Sequence, residues 1–153
     1  KYGLAPVFLS INHISDGDAA DQVCAHLEGV PSCVLRQPLS SELMLGLTSR
    51  MHAVISMRLH GLIFAAGQGV PLVGITYDPK VSGFLSYMGQ ELYEDLDGLT
   101  AQRLREMLDQ AMALRASREE LHAAVARLRR LEQNNSDVLR RLLARESDPE
   151  VAP

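Results

Sequence analysis

With 153 residues and a formal net charge of −4, the chain is long enough for one domain with a hydrophobic core and lacks the basic surface typical of nucleic-acid binding. Residues 59–77 contain no Asp, Glu, Lys or Arg and approach the length of a membrane span. However, the glycines and the proline of residues 67–71 divide this stretch into a helix and a strand. We therefore predict a soluble domain.

Apolar, β-branched segments alternate with helix-like segments along the first two thirds of the chain. The predicted strands cover 6–12, 32–35, 53–57, 72–75 and 91–93. The predicted helices cover 16–27, 42–49 and 59–67, and a fourth begins at residue 81 or 82 and ends at 88. Short connections between strands and helices are typical of a parallel sheet in an α/β domain. We predict a Rossmann-like, doubly wound parallel sheet over residues 1–98, then helices over 99–146 and a frayed tail over 147–153.

Polar side chains follow two consecutive predicted strands, at the point where each strand ends. Arg58 and His60 follow the third strand, and Asp78 and Lys80 follow the fourth. The carboxyl ends of parallel strands meet at one edge of the sheet, where ligands bind in α/β folds. The helix after the third strand adds free N–H groups and a positive dipole end. Residues 1–100 hold only five Lys or Arg against ten Asp or Glu, and two of the five basic residues, Arg58 and Lys80, lie at this edge. This concentration of positive charge predicts an anion site.

Apolar residues recur at seven-residue spacing in the stretch 117–145. One seam contains Leu121, Leu128, Asn135 and Leu142, and a second contains Leu131 and Val138. This pattern is compatible with a coiled-coil homodimer in which the asparagine sets the register. Alternatively, residues 134–137 break the helix and Ser136 caps a last short helix. We favour helices that pack along this domain or along another lobe of the same protein.

Two motifs resemble those of a known family. Residues 55–71 have the sequence ISMRLHGLIFAAGQGVP, which closely resembles the signature of the polysaccharide pyruvyl transferase family. Residues 73–81 have the sequence VGITYDPKV, which is similar to the bacterial cell-wall branch of that family. The resemblance implies the C-terminal lobe of a GT-B-like fold. It also implies transfer of the enolpyruvyl group of phosphoenolpyruvate to a sugar of a cell-wall or exopolysaccharide precursor, which forms a pyruvate ketal.

The resemblance further implies the partners of this lobe. Phosphoenolpyruvate is expected as co-substrate, with no other cofactor and no metal. A lipid-linked or nucleotide-linked saccharide is the expected acceptor, and the N-terminal lobe of the same protein would supply a further basic residue. We expect the single lobe to be inactive or weakly active, and we expect a cytoplasmic location that includes the inner face of the cell membrane.

By the same resemblance, Arg58, His60 and Lys80 would bind phosphoenolpyruvate. His60 is the predicted catalytic residue, either as a ligand of the phosphate or as general acid, and we favour phosphate binding. Arg58 has an alternative role in an ion pair with Asp78. Ser56 is expected to bond the backbone at the end of its strand. The candidates to line the cleft are Asn12, His13, Ser56 and Asp78.

Two other functions stay open at this point. The nucleotide-sugar lobe of a GT-B glycosyltransferase would bind a nucleotide diphosphate rather than phosphoenolpyruvate. A non-catalytic dimerisation module would use the seams of the stretch 117–145.

Overall fold

The computed structural model describes residues 2–12, 15–114 and 118–146, where strands and helices alternate as predicted. The strands are β1 (Val7–Leu9), β2 (Cys33–Leu35), β3 (Val54–Ser56), β4 (Leu72–Thr76) and β5 (Tyr93–Asp95). The helices are α1 (Asp16–Cys24), α2 (Ser41–Thr48), α3 (Leu59–Gly67), α4 (Pro79–Tyr87), α5 (Ala101–Leu114) and α6 (Arg118–Glu146). His13 and the predicted tail 147–153 lie outside the described residues.

Several boundaries differ from the predicted ones, and β1 ends at Leu9 instead of residue 12. Helix α1 ends three residues early, because the N–H of His26 bonds the Val23 carbonyl in a tighter turn. Helix α4 begins at Pro79, because proline suits the first helical position and Asp78 caps the helix. Strand β5 lies two residues later than predicted, and it pairs with β4.

All strand pairs are parallel, but the strands form two sheets instead of one. β1 pairs with β2, and the second sheet has the order β3-β4-β5. An apolar cavity of about 710 Å³ separates β1 from β3. Hydrogen-bonded strands lie about 4.8 Å apart, which leaves no room for such a cavity. The α/β class and the parallel strands are confirmed, and the prediction of one continuous sheet is wrong.

Helices cover both faces of β4, the most buried strand. Leu72 packs in a cluster with Leu62 of α3 and Leu85 of α4. The next residue, Val73, packs in a different cluster with Met107 of α5. Because successive side chains of a strand point to opposite faces of the sheet, these clusters lie on its two sides. The second sheet therefore forms the middle layer of three.

Helix α6 is one continuous helix of 29 residues, without a break at 134–137. Leu121 is buried in the cluster formed with α3 and α4, and three further residues of the first half of α6 pack against that cluster: Ala124, Val125 and Leu128. Among the side chains described over 129–144, all are exposed except that of the half-buried Ser136. The second half of α6 thus extends past the domain. Over the part of the chain described, no helix has the length and apolar character of a membrane span.

Candidate functional site

The carboxyl ends of β3 and β4 lie side by side. Ser56 pairs with Gly74 in the parallel register, so α3 and α4 begin at the same edge of the sheet. The first turn of α3 carries His60, and the first turn of α4 carries Lys80. The structure therefore brings the two sequence motifs together at the edge where ligands bind in open α/β sheets.

Ser56 fixes the backbone where β3 turns into α3. Its hydroxyl accepts a hydrogen bond from the N–H of Arg58 at 2.9 Å and donates one to the carbonyl of Arg58 at 3.0 Å. A Cβ at Gly61 would lie 2.7 Å from Oγ of Ser56 and 3.2 Å from Cδ1 of Ile11. Glycine at this position therefore allows α3 to pack directly on the end of β3.

Arg58 forms an ion pair with Asp16, and not with Asp78. Its Nη2 lies 2.7 Å from Oδ1 of Asp16, and the two side chains are 29% and 19% exposed, respectively. Nη2 also lies 3.3 Å from the hydroxyl of Ser15, and Nη1 lies 3.5 Å from that of Tyr77. The alternative pairing with Asp78 is wrong, because that carboxylate bonds within its own helix.

Asp16 links the loop after β1 to the start of α3. Its Oδ2 accepts hydrogen bonds from the N–H groups of Asn12 at 2.7 Å and Ile11 at 3.1 Å. Burial opposes the charge of Asp16, but the hydrogen bond from Arg58 and those from the backbone outweigh it and lower the pKa of the carboxyl. The same hydrogen bond from Arg58 to Asp16 raises the pKa of the guanidinium. Since β1 and β3 belong to different sheets, this pair connects the two sheets.

Asp16 is not among the site residues predicted from the sequence. The available signal was its place in the loop after the first strand, which in a parallel sheet lies at the same edge as Arg58.

Lys80 and Asp78 form a second, more exposed pair at the start of α4. Oδ1 of Asp78 accepts the N–H of Lys80 at 2.9 Å, and Oδ2 lies 3.0 Å from Nζ. The hydrogen bond from the backbone N–H of Lys80 and that from its ammonium group lower the pKa of Asp78. The hydrogen bond to Asp78 raises the pKa of Lys80. Lys80 is therefore a fixed positive charge at neutral pH, and its side chain is 53% exposed.

His60 is the exposed imidazole of this edge. Within the described part of the chain this exposed residue makes no hydrogen bond or ion pair. Helix α3 has no side-chain cap, which leaves its first N–H groups open as well. Asn12 is exposed, and its N–H donates a hydrogen bond to Asp16, the residue that pairs with Arg58 at this edge.

Nε of Arg58 is buried and, among the described residues, has no hydrogen-bond partner. A buried donor without an acceptor costs about 1–3 kcal/mol. The two cations of the site are balanced by Asp16 and Asp78, so an incoming anion has to share these cations with the carboxylates. Nowhere in the described ranges do three His, Cys, Asp or Glu side chains form a potential metal site.

Residues 5–79 match the family model of the polysaccharide pyruvyl transferases. No curated protein and no solved structure matches the chain significantly. The matched region runs from just before β1 to the first residue of α4 and includes Ser56, Arg58, His60 and Gly61. It ends one residue before Lys80. Because the match covers the motif on which the resemblance rests, it confirms that resemblance. Residues 5–79 are therefore identified as part of a polysaccharide pyruvyl transferase domain.

Proposed function

We propose that the chain is the C-terminal, donor-binding lobe of a GT-B-like polysaccharide pyruvyl transferase, and that phosphoenolpyruvate binds where α3 and α4 begin. The observation that carries this proposal is the placement of Arg58, His60 and Lys80 at one sheet edge, inside or directly beside the region matched by the family. Phosphoenolpyruvate has a phosphate and a carboxylate, and several cations at fixed positions suit both groups.

Each residue has a distinct part in this proposal. The guanidinium of Arg58, whose side chain is 29% exposed, suits an oxyanion, and Lys80 acts as a point charge. His60 and the uncapped N-terminus of α3 bind the phosphate. In ketal formation one sugar hydroxyl adds to the enol carbon, the methylene carbon takes up a proton, and phosphate leaves. A second hydroxyl of the sugar then adds to the same carbon and loses its proton. His60 stabilises the departing phosphate.

The acceptor in this proposal is a lipid-linked or nucleotide-linked saccharide of a cell-wall or exopolysaccharide precursor, met in the cytoplasm or at the inner membrane face. An N-terminal lobe supplies a further basic residue, and phosphoenolpyruvate is the co-substrate without a metal or another cofactor. The acid partners of Arg58 and Lys80 reduce the net positive charge of this lobe. We therefore expect the lobe alone to bind the donor weakly and to be inactive or weakly active.

Titration of phosphoenolpyruvate into the chain, followed by calorimetry and by NMR, tests the site. We expect saturable binding that is about tenfold weaker in His60→Ala and in Lys80→Ala. The matched controls are His52→Ala and Arg50→Ala, which change exposed residues just before β3, at the opposite end of that strand. Equal losses in these controls, or no binding up to about 10 mM donor, would contradict the proposal.

The same titration with a nucleotide diphosphate separates this function from a glycosyltransferase. Binding of the nucleotide, without binding of phosphoenolpyruvate, would favour the nucleotide-sugar lobe. Repeating both titrations with a protein that contains both lobes shows whether the second lobe completes the donor site.

A further inference from the structure

The second half of α6 carries an apolar stripe of side chains that are about half exposed to solvent. Its members are between 50% and 57% exposed: Leu131, Val138, Leu139, Leu142 and Leu143. At 100° per residue they span an arc of about 140°. The mean direction of the residues by which the first half of α6 packs on the domain lies about 30° from the mean direction of the stripe. The same face of α6 therefore packs on the domain along the first half of the helix and is exposed along the second half.

We propose that this stripe is the interface of an antiparallel homodimer. The area suits a second copy, because five aliphatic residues that are each about half exposed present about 500 Å² per chain. Two copies would then bury about 1,000 Å², which is near the lower limit for a specific interface. The overhanging half of α6 is also too short to be a stable helix by itself, and a second helix alongside it would stabilise it. The proposal does not depend on the donor site.

The direction of the pairing follows from the position of the domain. A partner helix on the stripe lies on the same side of α6 as the domain that packs around Leu121 and Leu128. In a parallel, in-register dimer, the first half of the partner's α6 would occupy the space of that domain. In an antiparallel dimer, the first half of the partner's α6 runs beyond the end of the first helix, and each domain stays clear of the other. Asn135 then faces an aliphatic residue of the partner, which limits affinity to the micromolar range.

Sedimentation equilibrium of the full chain from about 1 to about 500 µM tests the dimer. We expect the average mass to rise towards twice that of one chain. In the double variant Val138→Lys, Leu142→Lys the dissociation constant should rise at least about tenfold. The matched control Gln133→Lys, Ala144→Lys changes the charge equally on the opposite face of α6 and should behave like the unchanged chain.

Three results would overturn the proposal: a monomer throughout the concentration range, a dimer that survives in the stripe variant, or equal loss of the dimer in the control. Circular dichroism and thermal unfolding check that each variant is folded. If the double variant does not fold, Leu131→Glu replaces it, with Arg130→Glu as its neighbour on the outer face.

Spin-label distances test the direction. Arg130→Cys and Asp137→Cys, each made in a Cys24→Ser, Cys33→Ser background, place labels one heptad apart on the outer face of α6. In an antiparallel dimer the axial separation of the two labels is about 20 Å larger at position 130 than at position 137. Equal distances at both positions indicate a parallel dimer and would overturn the arrangement.

Discussion

The pairing of Arg58 with Asp16 is the single-residue feature on which the shape of the candidate site depends most. Arg58 belongs to the start of α3, and Asp16 belongs to the start of α1, so their contact holds parts of two different sheets together. The same pair sets the direction of the guanidinium that faces the sheet edge. Asp16 therefore acts as a positioning residue for Arg58.

Replacing Asp16 tests this pair. We expect Asp16→Asn to lower the free energy of unfolding at pH 7 by about 1–2 kcal/mol, since a partly buried, charge-assisted hydrogen bond is lost. The matched control is Asp21→Asn, because the side chain of Asp21 is 56% exposed and that of its partner Arg36 is 50% exposed. An exposed pair of this kind contributes less, and the control should change by about 0.5 kcal/mol or less.

The same substitution has a defined pH dependence. The pKa of Asp16 is lowered in the folded protein, so the unfolded chain binds more protons between the folded and the ordinary pKa. The stabilisation is therefore complete above the ordinary carboxyl pKa of about 4 and is lost as the pH falls through the folded value. Urea unfolding of both proteins at several pH values measures this effect. A difference that stays constant down to the acid limit would contradict the role of the Asp16 charge.

At the scale of secondary-structure elements, α4 depends on Asp78 in two ways. The carboxylate caps the helix through the N–H of Lys80, and it also neutralises the ammonium group of that lysine. The two roles can be separated, because asparagine caps a helix as well as aspartate does but carries no charge.

We expect Asp78→Asn to leave the thermal stability nearly unchanged and to bind inorganic phosphate at least as tightly as the unchanged chain, since Lys80 loses its competing anion. Asp78→Ala should lower the midpoint of thermal unfolding, because the cap is removed. Thermal unfolding and phosphate titration of both variants provide the measurements. Weaker phosphate binding in Asp78→Asn would show that the carboxylate orients Lys80 instead of competing for it.

The local elements were largely predictable at this scale. Hydrophobic periodicity located all five strands, and turn residues such as Gly67–Pro71 located the end of α3. The uninterrupted course of α6 through residues 134–137 was not decided by the sequence. Asparagine, serine and aspartate favour caps and turns, yet here the helix continues and exposes their side chains fully or in part.

At the scale of the whole molecule, α6 belongs to the same hydrophobic core as the sheet. Leu121 is 8% exposed and shares a cluster with α3 and α4. We expect Leu121→Ala to lower the free energy of unfolding by about 2–4 kcal/mol, because a buried leucine leaves a cavity. Leu43→Ala is the matched control on α2, where the leucine is 50% exposed, and it should cost about 0.5 kcal/mol or less.

Chemical denaturation at low micromolar concentration measures both variants. Equal, small effects would mean that α6 packs on the domain only weakly. In that case the interface proposed for the second half of α6 would lose its argument for an antiparallel direction, because no domain would occupy the space beside its first half.

The sequence by itself determined which segments form strands and helices, that the class is α/β, and that Arg58, His60 and Lys80 follow two neighbouring strands. These features depend on local periodicity, on turn residues and on a motif of contiguous residues, all of which are visible along one stretch of chain. The tertiary structure decided the division into two sheets and the choice of Asp16 as partner of Arg58. Both depend on contacts between segments about 40 residues apart in the chain. Such contacts follow from how the helices pack on the strands, and no local pattern of residues reveals them.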